Sequence, residues 1–128
     1  MMLPDAVKAA AQQQAQWLVG EVPGIQAVVV ATVDGFDVAS VMAQSTLEPA
    51  LVAALASSIA SIGEVVSQQA SLGTSRSVTV STDKGLAIVC NVPRQDVGLV
   101  ICAVTNETAL LGLLNYGMGS VAKVLGAA

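Results

Sequence analysis

Histidine is absent from this chain. Its absence removes the Ser–His and Cys–His nucleophile pairs, the histidine general base and the commonest metal ligand. Aromatic side chains are nearly absent too, with one Phe, one Tyr and one Trp, so a selective small-molecule pocket has little to be built from. Basic residues number five, Lys8, Arg76, Lys84, Arg94 and Lys123, scattered singly against nine acids for a net charge of −4. Nucleic acid needs a clustered basic surface, and so does an anionic membrane; neither is expected as a partner. The two cysteines, Cys90 and Cys102, lack a histidine or paired acids to complete a zinc set. Folding the segment about Pro93–Asp96 sets Cys90 near Leu99 and Cys102 near Ala87. That is too far out of register for a disulfide, so both are expected as buried thiols.

Long apolar runs are missing as well. The longest uncharged stretches, Pro49 to Gly63 and Thr108 to Ala122, are broken by Ser, Asn, Gly and Thr, short of the 18 or so apolar residues of a membrane span. The opening MMLPDAVK carries an acid where a signal peptide needs base, and the expectation is a soluble, cytoplasmic protein. Gly117–Ala122 fits GxGxxA but stands near the end of a helix, without the strand and acid that a dinucleotide site requires. No GxxxxGK[ST] phosphate loop occurs. Asp34, Asp37, Asp83 and Asp96 read as turn or edge residues. No catalytic, cofactor-binding or metal residue is assigned, and an enzyme is not expected.

What the chain does contain is aliphatic. It is 54% hydrophobic and 11% charged, against roughly 25% charged in an average soluble domain. At 128 residues it reads as one domain, residues 1–128, with enough apolar mass to bury a core and to hide further surface by self-association. Pro4 and Asp5 open a helix whose buried face is expected to hold Leu3, Val7, Ala10, Ala11, Leu18 and Trp17. Ile25–Thr32 is apolar on both parities, as in a sheet covered on two sides. Asp34-Gly35 is a hairpin turn into Phe36–Met42. Arg76–Ser81 alternates, with Val78 and Val80 inward. Leu86–Val92 and Gly98–Val104 read as interior strands. A last helix opens at Thr105 or Asn106 and is expected to bury Leu110, Leu113, Leu114, Val121, Val124 and Leu125. The order is α-β-β-α-β-β-β-α, an α+β sandwich in which helices flank a five-stranded antiparallel sheet.

Thr46–Leu72 is the distinctive stretch. With Ser45 or Thr46 as cap, its large side chains Leu47, Leu51, Leu55, Ile59, Ile62, Val65 and Val66 fall on one broad face, expected to pack on the sheet. The other face holds Ala50, Ala53, Ala54, Ser57, Ala60, Ser61, Glu64 and Ser67, with a single charge where solvent-facing helices carry several. Small side chains let a second backbone approach closely, so this face is expected to meet another protein. Arg76–Ser81, if an edge strand, has no Pro, Gly or Lys inside it to prevent pairing with a copy of itself.

The hairpin PGIQAVVVATVDGFDVAS (Pro23–Ser40), the long helix after it, and the three strands and closing helix that follow together resemble a roadblock/LC7 domain. That family includes the bacterial MglB proteins, and the likeness runs from Asp5 to Leu125. It implies a homodimer: the strand Arg76–Ser81 pairs with its copy and the central helices pack together, so that Ser58, Ile62, Val65, Arg76, Val78 and Val80 form the interface. It also implies a non-catalytic partner role toward a small Ras-like GTPase, as activating or scaffolding subunit, with docking at Ala50, Ala53, Ala54, Ser57 and Ser61 and no inserted arginine finger. A small-molecule sensor domain and a purely structural adaptor are the alternative expectations.

Overall fold

A computed structural model describes residues 3–128. The chain runs α1 (Asp5–Glu21), β1 (Ile25–Thr32), β2 (Asp37–Val41), α2 (Pro49–Gln69), β3 (Ser77–Thr82), β4 (Gly85–Val92), β5 (Leu99–Thr105) and α3 (Leu111–Ala127). The strands form one antiparallel sheet in the order β2-β1-β5-β4-β3. Pleating divides each interior strand between two cores. On one side Val28, Val30, Ile88, Leu99, Ile101 and Ala103 meet α1 and α3 through Val7, Ala11, Leu18, Leu114, Met118 and Leu125. On the other, Val29, Ala31, Val89, Val100 and Cys102 meet α2 alone. Being buried on both faces is why β1 and β5 are continuous aliphatic runs.

The expected order of elements holds, and the differences lie at their ends and in their facing. The central helix begins at Pro49 rather than Thr46. Glu48, restrained by the proline that follows it, is extended at φ −73°, ψ 125° and makes no side-chain cap. Ser45 instead accepts the Leu47 N–H at 3.1 Å. The last helix begins at Leu111 because Asn106 is committed to a turn. Its Oδ1 accepts from Thr108 N and Oγ1 at 2.9 and 2.6 Å, while its own N–H donates to Gly24 O. Trp17 is 39% exposed, and Leu110, Leu113 and Val124 also face outward; Met118 and Gly117 fill the space expected of them. The β4–β5 register pairs Cys90 with Ile101 and Val89 with Cys102, two residues away from the expected one. The connection extends to Gly98, its loop braced by the Arg94–Asp96 ion pair at 2.8 Å. The two thiols thus lie on opposite faces of the sheet, unpaired, and burial pushes each up to about 11.

The main correction concerns α2. Its sheet-facing residues are Val52, Ala53, Ala56 and Ala60, not the leucine stripe. Leu51, Leu55, Ile62, Val65 and Val66 are 52–63% exposed; only Ile59, half-buried, keeps its expected place against the core. Alanines bring the helix backbone down onto an aliphatic sheet, and Gly63 completes the approach: a Cβ there would stand 2.5 Å from Val78 Cγ2. Size was a poor guide to facing because the close contact has room only for small side chains.

Gly63→Val should therefore force α2 off β3 and lower stability by about 1–3 kcal/mol in urea denaturation. A thiol reagent at pH 8 should leave Cys90 and Cys102 unmodified in the folded protein and label both on unfolding, since thiols titrating near 11 remain protonated there.

Candidate functional site on the central helix and the edge strand

With its alanine face seated, α2 presents two further faces. The outward one is apolar. Leu51, Leu55, Ser58, Ile62, Val65 and Gln69 follow one another at alternating steps of four and three, the spacing that keeps one seam of a helix in line with a partner helix. Val66 widens the stripe, and Leu47 and Leu72 are exposed just beyond the two ends of the helix. Water covers about half of each large side chain in the isolated chain, an arrangement that association relieves. Helix α2 is also the one, among the described residues, long and apolar enough to cross a membrane, with a mean hydropathy of 1.7. The stripe is what gives it that composition, while Val52, Ala53, Ala56 and Ala60 hold it to the sheet.

The second face is a narrow flank of small residues beside the β1–β2 turn. The Ser57 hydroxyl donates to Val33 O at 2.5 Å, and Ser61 donates to Ser57 O at 3.0 Å. A Cβ on Gly35, whose φ is +95°, would lie 3.5 Å from Ala54 Cα. The turn thus comes down beside the Ala54 backbone and the Ser57 side chain, and the smallness of Ser57 is partly an internal requirement. Ala50, Ala54 and Ser61 are exposed and Ser57 half-buried. Ala53 is 0% exposed and lies under the helix. It is removed from the expected docking face, because its position points at Val29 and Val100 in the same core cluster.

The remaining expected residues converge on one side of the molecule. Ser58, Ile62 and Val65 are exposed on the outward stripe. Strand β3 is an edge, paired with β4 on one side and with no strand on the other among the described residues. Val78 and Val80 lie opposite Val89 and Ala87, which puts them on the α2 face of the sheet. Val78 is half-buried beneath Gly63 and Val80 is 40% exposed, so neither is the fully inward residue expected; a strand at the rim has cover from one neighbour only. Arg76 is exposed just before the strand. The residues that sequence reasoning missed as surface are Leu51, Leu55 and Val66, and for Leu51 and Leu55 the four–three spacing was the available signal. The described residues contain no group of three His, Cys, Asp or Glu able to hold a metal.

A family model described as Roadblock/LC7 domain matches residues 12–105. Among solved structures, the Roadblock/LC7 domain from Streptomyces avermitilis is 25% identical, with 88% of this chain and 91% of that chain covered and a TM-score of 0.77. The gliding protein MglB from Thermus thermophilus is 15% identical over 99% of this chain and 93% of that one, with a TM-score of 0.83. A structure described as MglB with tetrameric arrangement is 17% identical, again over 99% and 93%, with a TM-score of 0.84. At these last identities the likeness is one of fold. No curated protein matches the chain.

The two alanines at neighbouring positions separate seat from surface. Ala53→Asp should unfold the protein or cost about 3 kcal/mol or more, as a charge buried without a partner. Ala54→Arg should stay folded, with a melting temperature near that of the parent.

Proposed function

The chain belongs to the Roadblock/LC7 domain family, and we propose that it acts as a homodimeric, non-catalytic regulator or scaffold for a small Ras-like GTPase in the cytoplasm. The observation that carries the dimer is the outward apolar stripe of α2 beside the open edge of β3. Completing the burial of a half-exposed aliphatic side chain contributes about 1 kcal/mol. Leu51, Leu55, Ile62, Val65 and Val66 on two protomers then supply on the order of 10 kcal/mol. Association costs about 4–15 kcal/mol, so the helix seam alone is marginal. Antiparallel pairing of β3 with its copy adds the main-chain hydrogen bonds that the edge lacks. A two-fold axis through both contacts makes each surface self-complementary. Ser58, Ile62 and Val65 then lie on the helix seam, and Arg76, Val78 and Val80 at the strand seam. That a relative is described as MglB with tetrameric arrangement supports association as a habit of this fold.

The GTPase half of the proposal rests on the family likeness and on the flank Ala50, Ala54, Ser57 and Ser61. The flank is narrow and uncharged, and it borders the seam without being consumed by it. The shortage of histidine, of basic clusters and of reactive thiols supports a binding rather than a catalytic part.

Light scattering should give twice the monomer mass. Ser58→Arg and Val80→Asp should each weaken the dimer at least tenfold or so, as an unpaired charge at the seam must be desolvated. A dimer intact in both variants would overturn the interface. Pull-down against GTP- and GDP-loaded Ras-like GTPase encoded beside the gene should show binding that Ala54→Arg removes while the dimer mass stays unchanged. Equal binding to both nucleotide states would reduce the role to a structural adaptor.

A further inference from the structure

A cleft of about 490 Å3 opens between the polar flank of α2 and the end of the sheet that carries the β1–β2 turn and the β4–β5 loop. Its floor is aliphatic, with Val33, Ala60 and Val100, and polar groups stand over it at Ser57, Ser61, Glu64 and Asn91. What those polar groups still offer follows from the bonds they already make. A hydroxyl within bonding distance of a carbonyl oxygen has to be the donor. Ser57 donates to Val33 O and Ser61 to Ser57 O, so both have used their one proton and present lone pairs only. Asn91 donates one Nδ2 proton to Ser75 O at 2.9 Å, which leaves its Oδ1 as an acceptor beside the second proton. Glu64, half-buried, accepts the Ser75 N–H at 3.3 Å through one carboxylate oxygen. Among the described residues its other oxygen has no donor, and the ion pair found there is elsewhere, between Arg94 and Asp96.

An aliphatic floor beneath the Ser57 and Ser61 oxygens, Asn91 Oδ1 and one carboxylate is complementary to an aliphatic body ending in a protonated nitrogen. We propose that this cleft binds a small organic cation, an aliphatic primary amine in its ammonium form. The ammonium meets Glu64 and the serine oxygens, and the hydrocarbon lies on Val33, Ala60 and Val100. The volume favours a free molecule over one inserted lysine side chain, since it falls in the range of small-molecule sites, about 300–1,000 Å3, and a single side chain would leave most of it empty. Arg76 also borders the cleft. It is exposed, stands beside the edge strand at the dimer seam proposed above, and opposes a cation. The sense of the charge preference is therefore set by Glu64 against Arg76, and the two make opposite forecasts.

Amide NMR of the full chain, titrated at neutral pH with hexylamine, hexanol and hexanoate, holds the hydrocarbon constant while changing the charge. Hexylamine should cause saturable shifts at Val33, Ser61, Glu64 and Val100, with hexanol and hexanoate at least about fivefold weaker. Glu64→Gln keeps an acceptor for the Ser75 N–H and so preserves the fold. It should reduce hexylamine to the level of hexanol, while Arg76→Gln should leave hexylamine binding unchanged or tighter. Tightest binding by hexanoate, loss of hexylamine binding in Arg76→Gln, indifference to Glu64→Gln, or no saturable shift with any probe would overturn the site. None of these results bears on the dimer mass or on GTPase capture, which test the preceding proposal separately.

Discussion

One helix has to carry the chain from one edge of the sheet to the other, and most of what distinguishes this molecule follows from that. Strand β2 lies at one edge and β3 at the opposite edge, with α2 as the connection between them. Four interstrand spacings amount to about 19 Å, which the 21 residues of α2, at roughly 30 Å, can span on a diagonal. To do so the helix must lie close along its length. Val52, Ala53, Ala56 and Ala60 are what make contact, and Gly63 admits Val78 at the far end. Close seating by small residues necessarily sends the large ones outward.

The two faces of the sheet are accordingly unequal. Helices α1 and α3 together cover one, and their cluster includes the largest fully buried side chains, among them Leu18, Leu114, Met118 and Leu125. A single helix about 10 Å across covers the other. It leaves uncovered ground on both of its sides: toward the hairpin tips, where the cleft opens, and toward β3, whose residues are exposed or half-buried throughout. The stripe, the open edge and the cleft are three consequences of the same incomplete cover. A second copy would close two of them.

Much of the architecture could be read from residue pattern. Asp34-Gly35 between two β-rich runs, the doubly apolar parity of Ile25–Thr32 and the alternation of Arg76–Ser81 all led to strands at or within one residue of their observed bounds. Proline and asparagine were harder to read. Pro49 sits in the first turn of α2 but also holds Glu48 extended, so the cap expected at Ser45 or Thr46 does not form. Asn106 looked like a helix cap and is spent on a turn against Gly24. In the candidate site, periodicity assigned Ile62 and Val65 to the core while the family resemblance assigned them, with Ser58, to an interface; all three are exposed. Ala53 was taken with its neighbours and is buried, one position around the helix from the exposed Ala54.

Composition and order determined that this is an aliphatic α+β sandwich with no histidine-based chemistry, because periodicity and chemical inventory are local properties of a chain. Which side of the central helix meets the sheet was decided only in the folded structure. Both of its faces are apolar enough to be buried, so hydrophobicity does not choose between them. The choice falls to distance: a helix pressed across strands that are themselves close-packed has room for alanine and none for leucine. That steric fact turns Leu51, Leu55, Ile62, Val65 and Val66 from core into surface.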